Sequence, residues 1–224
     1  MHMKEPQYNS QLDLVKQKGN SKLGLMINEV WDIDPRRMAF VLSRYKFVSK
    51  MLEGNRNVLE VGCGDAFASR IVKQTVENLT VSDFDPVFIQ DAKNRSDEKW
   101  ELNYLIHDMI EKPANNKYNA IYALDVLEHI NPKKENIFIR NICLSLKLDG
   151  ITIFGMPSLE SQSYASPISK AGHVNCKSGD ELTKIMKKYF RNVFLFSMND
   201  EVVHTGYSKM AHYLLVLCCG AMVK

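Results

Sequence analysis

Two glycines one residue apart, Gly62 and Gly64, follow an apolar run in the stretch Glu60-Val61-Gly62-Cys63-Gly64-Asp65-Ala66. A turn without side chains at these positions lets backbone N–H groups approach a ligand closely, the chemistry of holding a nucleotide. About twenty residues further on, where dinucleotide folds place a ribose-binding acid, Asp83 closes a second apolar run and Phe84-Asp85-Pro86 follows. A carboxylate there can accept from both hydroxyls of a ribose. Asp85 is its rival, but its place before a proline fits helix capping better. Asp108, in His107-Asp108-Met109, ends a third run, and Leu124-Asp125 ends a fourth. Acids at strand carboxyl ends stand where open α/β sheets bind ligands. His173, in Gly172-His173-Val174-Asn175, has an ordinary pKa suited to a general base or to orienting an acceptor.

Alternating strands and helices must position these groups. Strands are predicted over residues 58–61, 79–83, 102–106, 120–124, 151–156, 192–197 and about 211–219, with Asp149-Gly150 turning the chain into the fifth. Helices are predicted over 67–74, 86–93 and 131–146, and from the capping box Ser178-Gly179-Asp180-Glu181 to about 189. The class is α/β: a Rossmann-like doubly wound sheet, mostly parallel, with helices on both faces. No helix separates the last two strands, so an antiparallel last strand is expected.

Ahead of the sheet, residues 1–30 read as polar and irregular. A helix then starts with Asp34 as N-cap and Pro35 at N1 and runs to Gly54, with Arg36, Arg37, Arg44, Lys46 and Lys50 as a solvated basic face. The expected division is an accessory or lid segment over 1–56 and the sheet domain over 57–224. Residues 157–177 read as a loop without regular structure and as the best place for acceptor recognition.

The formal charge of +3 is too small and too dispersed to call for nucleic acid. Five cysteines without a CxxC pair, and an N-terminus without a signal-peptide core, read as unpaired thiols in the cytoplasm. The longest apolar run, residues 211–223, contains His212 and is too short to span a bilayer, so no membrane insertion is expected. His173 and Cys176 are two candidate ligands and do not make a metal site.

Phe67 stands where a dinucleotide fingerprint needs a small residue, which argues against a nicotinamide-dependent oxidoreductase. The glycine turn instead resembles the ExGxGxG motif of class I S-adenosylmethionine-dependent methyltransferases, with Ala66 at the third glycine. The resemblance extends through the strand-two pattern ending at Asp83 and through Asp108. It continues in Tyr118-Asn119-Ala120-Ile121-Tyr122-Ala123-Leu124-Asp125-Val126-Leu127-Glu128-His129, although the family commonly has Asp where Asn119 stands. It implies S-adenosylmethionine as cofactor, with Glu60, Gly62 and Gly64 at its methionine part, Asp83 at the ribose, Asp108 at the adenine and Asp125 beside the reacting end, and with Cys63, Phe84, Met109 and Leu124 as further cofactor-binding residues. The segment around His173 is similar to small-molecule methyltransferases acting on quinone precursors and sugars. The implied reaction is methylation of an oxygen of a small molecule, with His173 as the candidate catalytic residue. N-methylation of a small amine, nucleic-acid methylation and a non-catalytic cofactor-binding module are the alternatives. Nucleic acid is disfavoured because the chain lacks the Asn/Asp-Pro-Pro-aromatic segment of base amine methyltransferases and the Pro-Cys pair of pyrimidine carbon methylation.

Overall fold

The computed structural model describes residues 3–222, so the first two residues of the expected 1–56 segment and the last two of the expected 57–224 domain lie outside it. Eight strands form one sheet: β1 (Asn57–Val61), β2 (Asn78–Asp83), β3 (Asn103–Ile106), β4 (Tyr118–Leu124), β5 (Leu146–Pro157), β6 (Phe190–Asn199), β7 (Val202–His204) and β8 (Tyr213–Ala221). Their order is β3-β2-β1-β4-β5-β8-β6-β7. The β3-β2-β1-β4-β5 half is parallel, and β8 runs antiparallel to both β5 and β6, as expected of the last strand.

The central strands are apolar on both faces because each face carries a core. On one side Leu59, Val61 and Ile121 pack with Phe138, Ile139 and Ile142 of α6 (Glu135–Ser145) and with Leu182 and Met186 of α8 (Gly179–Met186). On the other, Val58, Leu79 and Tyr122 pack with three elements: Tyr45, Val48 and Leu52 in and after α3 (Arg36–Met51), Val72 of α4 (Ser69–Lys73), and Ile89 of α5 (Pro86–Asn94). Val48 and Leu52 are wholly buried, so α3 is part of the sheet's own core. Local signals set the helix starts: Asp85 caps α5 through the Val87 N–H, and Ser178 with Glu181 forms the capping box of α8.

Several expectations are corrected. The stretch expected to be irregular over 1–30 is not so in its described part, residues 3–30, which holds α1 (Asn9–Lys18) and most of α2 (Leu25–Ile33). The first N–H groups of α2 are capped from a distance, Ile27 N by Asp65 Oδ2 at 2.8 Å and Leu25 N by Asp91 Oδ2 at 3.3 Å. Asp34 does not cap α3. Its carboxylate pairs with Arg36, and Pro35 occupies the cap position. Strand β5 runs straight through Asp149-Gly150, absorbing the extra length as a register shift against β4. The 157–177 stretch folds into a 3-10 turn at Glu160–Tyr164 and α7 (Pro167–Gly172), the latter capped by Ser166. The short hairpin strand β7 was not expected. Most of the apolar run at 211–223 forms β8, its last residue lying outside the described ones. Among the described residues no helix is long and apolar enough to cross a membrane.

Candidate functional site

The parallel order brings the carboxyl ends of β3, β2, β1 and β4 side by side, and the turn after β1 stands among them. Gly62 N and Cys63 N donate to Ser82 O at 2.8 and 2.9 Å, and Gly64 N donates to Asp83 Oδ2 at 3.0 Å. Gly62 has φ +71° and Gly64 φ +50°, left-handed values that favour glycine. A Cβ on Gly62 would come within 2.4 Å of Val126 Cγ2, and one on Gly64 within 2.3 Å of Met26 Sδ. Met26 of α2 thus roofs the turn. Ala66 also takes a left-handed φ of +51°, the conformation the third glycine of the motif would adopt without strain.

Glu60 faces the interior. Its carboxylate accepts from Tyr45 at 2.6 Å, Tyr122 at 2.7 Å and Ser69 at 2.5 Å. Burial pushes its carboxyl up to about 7, against the pull of those three hydroxyls. Its oxygens are engaged by α3, α4 and β4, so it fixes the turn from behind and leaves ligand contact to the backbone. The sequence did not reveal Tyr45, Ser69 or Tyr122 as its partners.

Asp83 is buried at the end of β2, where Oδ1 accepts from Asp85 N at 2.9 Å while Oδ2 takes Gly64 N. Burial raises its carboxyl above the ordinary value, opposed by these two N–H bonds. Beside it Phe84 projects with its ring exposed. Asp108 Oδ1 accepts from Ile110 N at 2.7 Å, a local turn bond. Met109 and Leu124 are buried in opposite cores, and the Cys63 thiol is buried and bonded to Gly64 O. These side chains therefore shape the walls and do not project as polar ligands. A groove of about 630 Å³ behind the turn, lined by Lys18, Phe67, Arg70, Arg95 and Trp100, contains none of Gly62, Asp83, Asp108 or Asp125.

The end of β4 carries the titratable groups. Asp125, at φ +56°, receives both its bonds from Arg44 Nη1, at 2.9 and 2.7 Å. Arg44 lies over the Tyr213 ring at 3.7 Å and is nearly buried. This corrects the reading of Arg44 as part of a solvated face; Arg36, Arg37, Lys46 and Lys50 are exposed as expected. One turn on, Glu128 is fully buried, with no hydrogen-bond partner for either oxygen among the described residues. Burial, then the neighbouring Asp125, raises its carboxyl well above the usual range. His129 Nδ1 bonds Gly172 O and His173 Nδ1 bonds Gln162 Oε1, both at 2.9 Å, and the two rings meet edge to face at 5.1 Å. Burial, then the adjacent His129, lowers the His173 pKa.

Asn175 docks this segment by donating its backbone N–H to Glu128 O and its side-chain amide to Leu127 O and Glu135. Ligand atoms of Glu128, His129 and His173 all lie within 4.8 Å of one another. Cys176, the partner weighed for His173 in the sequence, is not in this group.

Residues 15–175 match the family profile described as Nodulation protein S (NodS). The chain belongs to the nodulation protein S family. Among its curated relatives is the ubiquinone biosynthesis O-methyltransferase of Rickettsia canadensis, 26% identical over 147 residues that cover 63% of the chain and 59% of the relative. Malonyl-[acyl-carrier protein] O-methyltransferase 1 of Ilyobacter polytropus is 26% identical over 144 residues, covering 60% and 53%. The chain spans less than two thirds of the length of these relatives. N-methyltransferase NodS from Bradyrhizobium japonicum WM9, solved with S-adenosyl-L-homocysteine, superposes with a TM-score of 0.60 at 19% identity, covering 85% of the chain and 90% of that structure. At that identity the likeness establishes a shared fold, the class I methyltransferase fold implied by the glycine turn.

Proposed function

We propose that the chain is an S-adenosylmethionine-dependent methyltransferase whose acceptor is an oxygen of a small molecule. The observation that carries this reading is the Gly62–Gly64 turn, whose two glycine positions leave no room for a side chain and which is bonded directly to Asp83. The turn at Gly62 and Gly64, its shape fixed by N–H bonds to Ser82 O and Asp83, receives the methionine part, Asp83 the ribose hydroxyls, Asp108 the adenine with Phe84 beside it, and Leu124 and Asp125 floor the reacting end. Glu60 and Met109 act on the cofactor through the turn and the wall they support. The sulfonium, when bound, supplies an already activated methyl group, so the chain's task is alignment and exclusion of water.

Oxygen is preferred because the acceptor side offers bases. A hydroxyl needs a group to take or share its proton, whereas a neutral amine needs only positioning. His173, with Nδ1 tied to Gln162, keeps Nε2 for that task. The curated relatives matched are named O-methyltransferases. N-methylation is the second reading, favoured by the family match, since its solved member is named an N-methyltransferase. Arg44 at the mouth is engaged by Asp125 and is not free to track a nucleic-acid backbone. Five free cysteines, three of them buried, fit a protein of the reducing cytoplasm, and within the accessory segment α2, with Met26 over the turn, is read as the part that covers the pocket.

Calorimetry with S-adenosylhomocysteine and with NAD tests the cofactor. Binding of the first alone, weakened at least tenfold in Asp83→Asn, is expected; binding of NAD alone removes the reading. Mass spectrometry of products from hydroxylated and amine small molecules then decides the acceptor atom.

A further inference from the structure

We infer that Glu128, His129 and His173 form a binding site for a first-row divalent transition-metal ion at the end of β4. Gly172 O and Gln162 Oε1 can only accept hydrogen bonds, so each His Nδ1 carries the proton, and each Nε2 is left with a free lone pair. Metal-binding histidines are held in this way, donating the second ring N–H to a carbonyl. Glu128 supplies an independent sign. It is wholly buried, both oxygens lack a partner among the described residues, and no hydrogen bond joins it to either ring. A proton shared between Glu128 and an imidazole therefore does not account for the group.

Two nitrogens and one carboxylate oxygen are the donors of Zn2+, Mn2+, Fe2+ or Co2+, whereas Mg2+ and Ca2+ favour all-oxygen sets. Metal–ligand distances of about 2.1 Å put donor pairs about 3–3.5 Å apart. The three sets of atoms lie within 4.8 Å, so closure requires a small inward rotation, available to the exposed His129. Three protein ligands leave coordination positions open for an acceptor. This deepens the proposed function and rests on it. A hydroxyl bound to the cation is acidified and releases its proton to water. Its oxygen keeps the electron pair that forms the new bond to the methyl carbon, while the sulfur keeps the pair of the bond that breaks. The activating role of His173 then passes through the metal.

The test uses the full chain stripped with a chelator and titrated with Zn2+, Co2+ and Mg2+, with S-adenosylhomocysteine titrated in parallel. One equivalent of Zn2+ or Co2+ is expected, with visible Co2+ absorption bands, and at least tenfold weaker binding in His129→Ala and His173→Ala. His129 is exposed, so its replacement leaves the fold intact; Glu128→Gln adds an isosteric check, with circular dichroism confirming folding. Failure to bind either transition ion, binding of Mg2+ alone, or affinity unchanged in both histidine variants overturns the inference. If S-adenosylhomocysteine still binds in those cases, the methyltransferase reading survives without the metal. Metal binding without S-adenosylhomocysteine binding supports the site and removes that reading.

Discussion

Glu60→Gln tests the interior of the site through the pH dependence of stability. In the folded protein burial lifts the Glu60 carboxyl from 4.5 to about 7. An acid that binds its proton more tightly when folded stabilises the protein fully below its unfolded pKa, and this contribution is lost as pH rises through its folded pKa. The window is therefore pH 4.5 to 7, with stability falling as pH rises and levelling above it. At about 1.4 kcal/mol per pH unit the loss is about 3 kcal/mol. The side chain is almost wholly buried, so solvent screening removes little of this. Urea unfolding followed by circular dichroism at pH 5, 6, 7 and 8 measures it. Wild type is expected to lose most of this stability between pH 5 and 8, and Glu60→Gln to lose that part of the slope. S-adenosylhomocysteine affinity should change less than threefold, because Tyr45, Ser69 and Tyr122 engage the carboxylate. An identical slope in the variant, or stability rising with pH through this window by the same amount in both proteins, would refute the assignment.

Two further substitutions probe the turn and its tether. Gly62→Ala forces a side chain into left-handed backbone and against Val126, an expected cost of about 2–5 kcal/mol in the urea midpoint; a cost under about 1 kcal/mol would mean the turn relaxes freely. Arg44→Met keeps bulk but leaves Asp125 without its charged partner and Tyr213 without its cation. A loss of about 2 kcal/mol is expected, discounted because Asp125 is partly exposed. Arg44→Lys should recover less than half of it in the same melt, since an ammonium neither stacks nor forks like a guanidinium.

The sheet was legible because its signals are local: apolar runs, Asp85 before Pro86, the Ser178–Glu181 box. Elements held by distant partners were not. Helix α2 takes its caps from Asp65 and Asp91, 38 and 66 residues away, so no nearby residue announces its start. Arg44 looked like one more charge on a basic helix because Asp125 stands 81 positions on. Glu60 was the acid of a motif, but β1 is buried on both faces, so strand alternation does not say which side an acid serves. Glu128-His129 was visible as a pair. Its meeting with His173 depends on α7 and on Asn175 drawing the later segment back, which spacing alone does not encode.

The α2 roof over the turn has a kinetic consequence. Met26 covers Gly64 from α2, so a ligand reaching that backbone meets first this side chain and then the helix whose amides Asp65 and Asp91 hold. Each such cap is worth about 1 kcal/mol, so the opened form is a minor population at rest. Association should then follow opening: the observed on-rate rises with ligand concentration and saturates at the rate at which α2 lifts. Asp65→Ala, by loosening one cap, should raise that plateau, making α2 the clock for cofactor exchange.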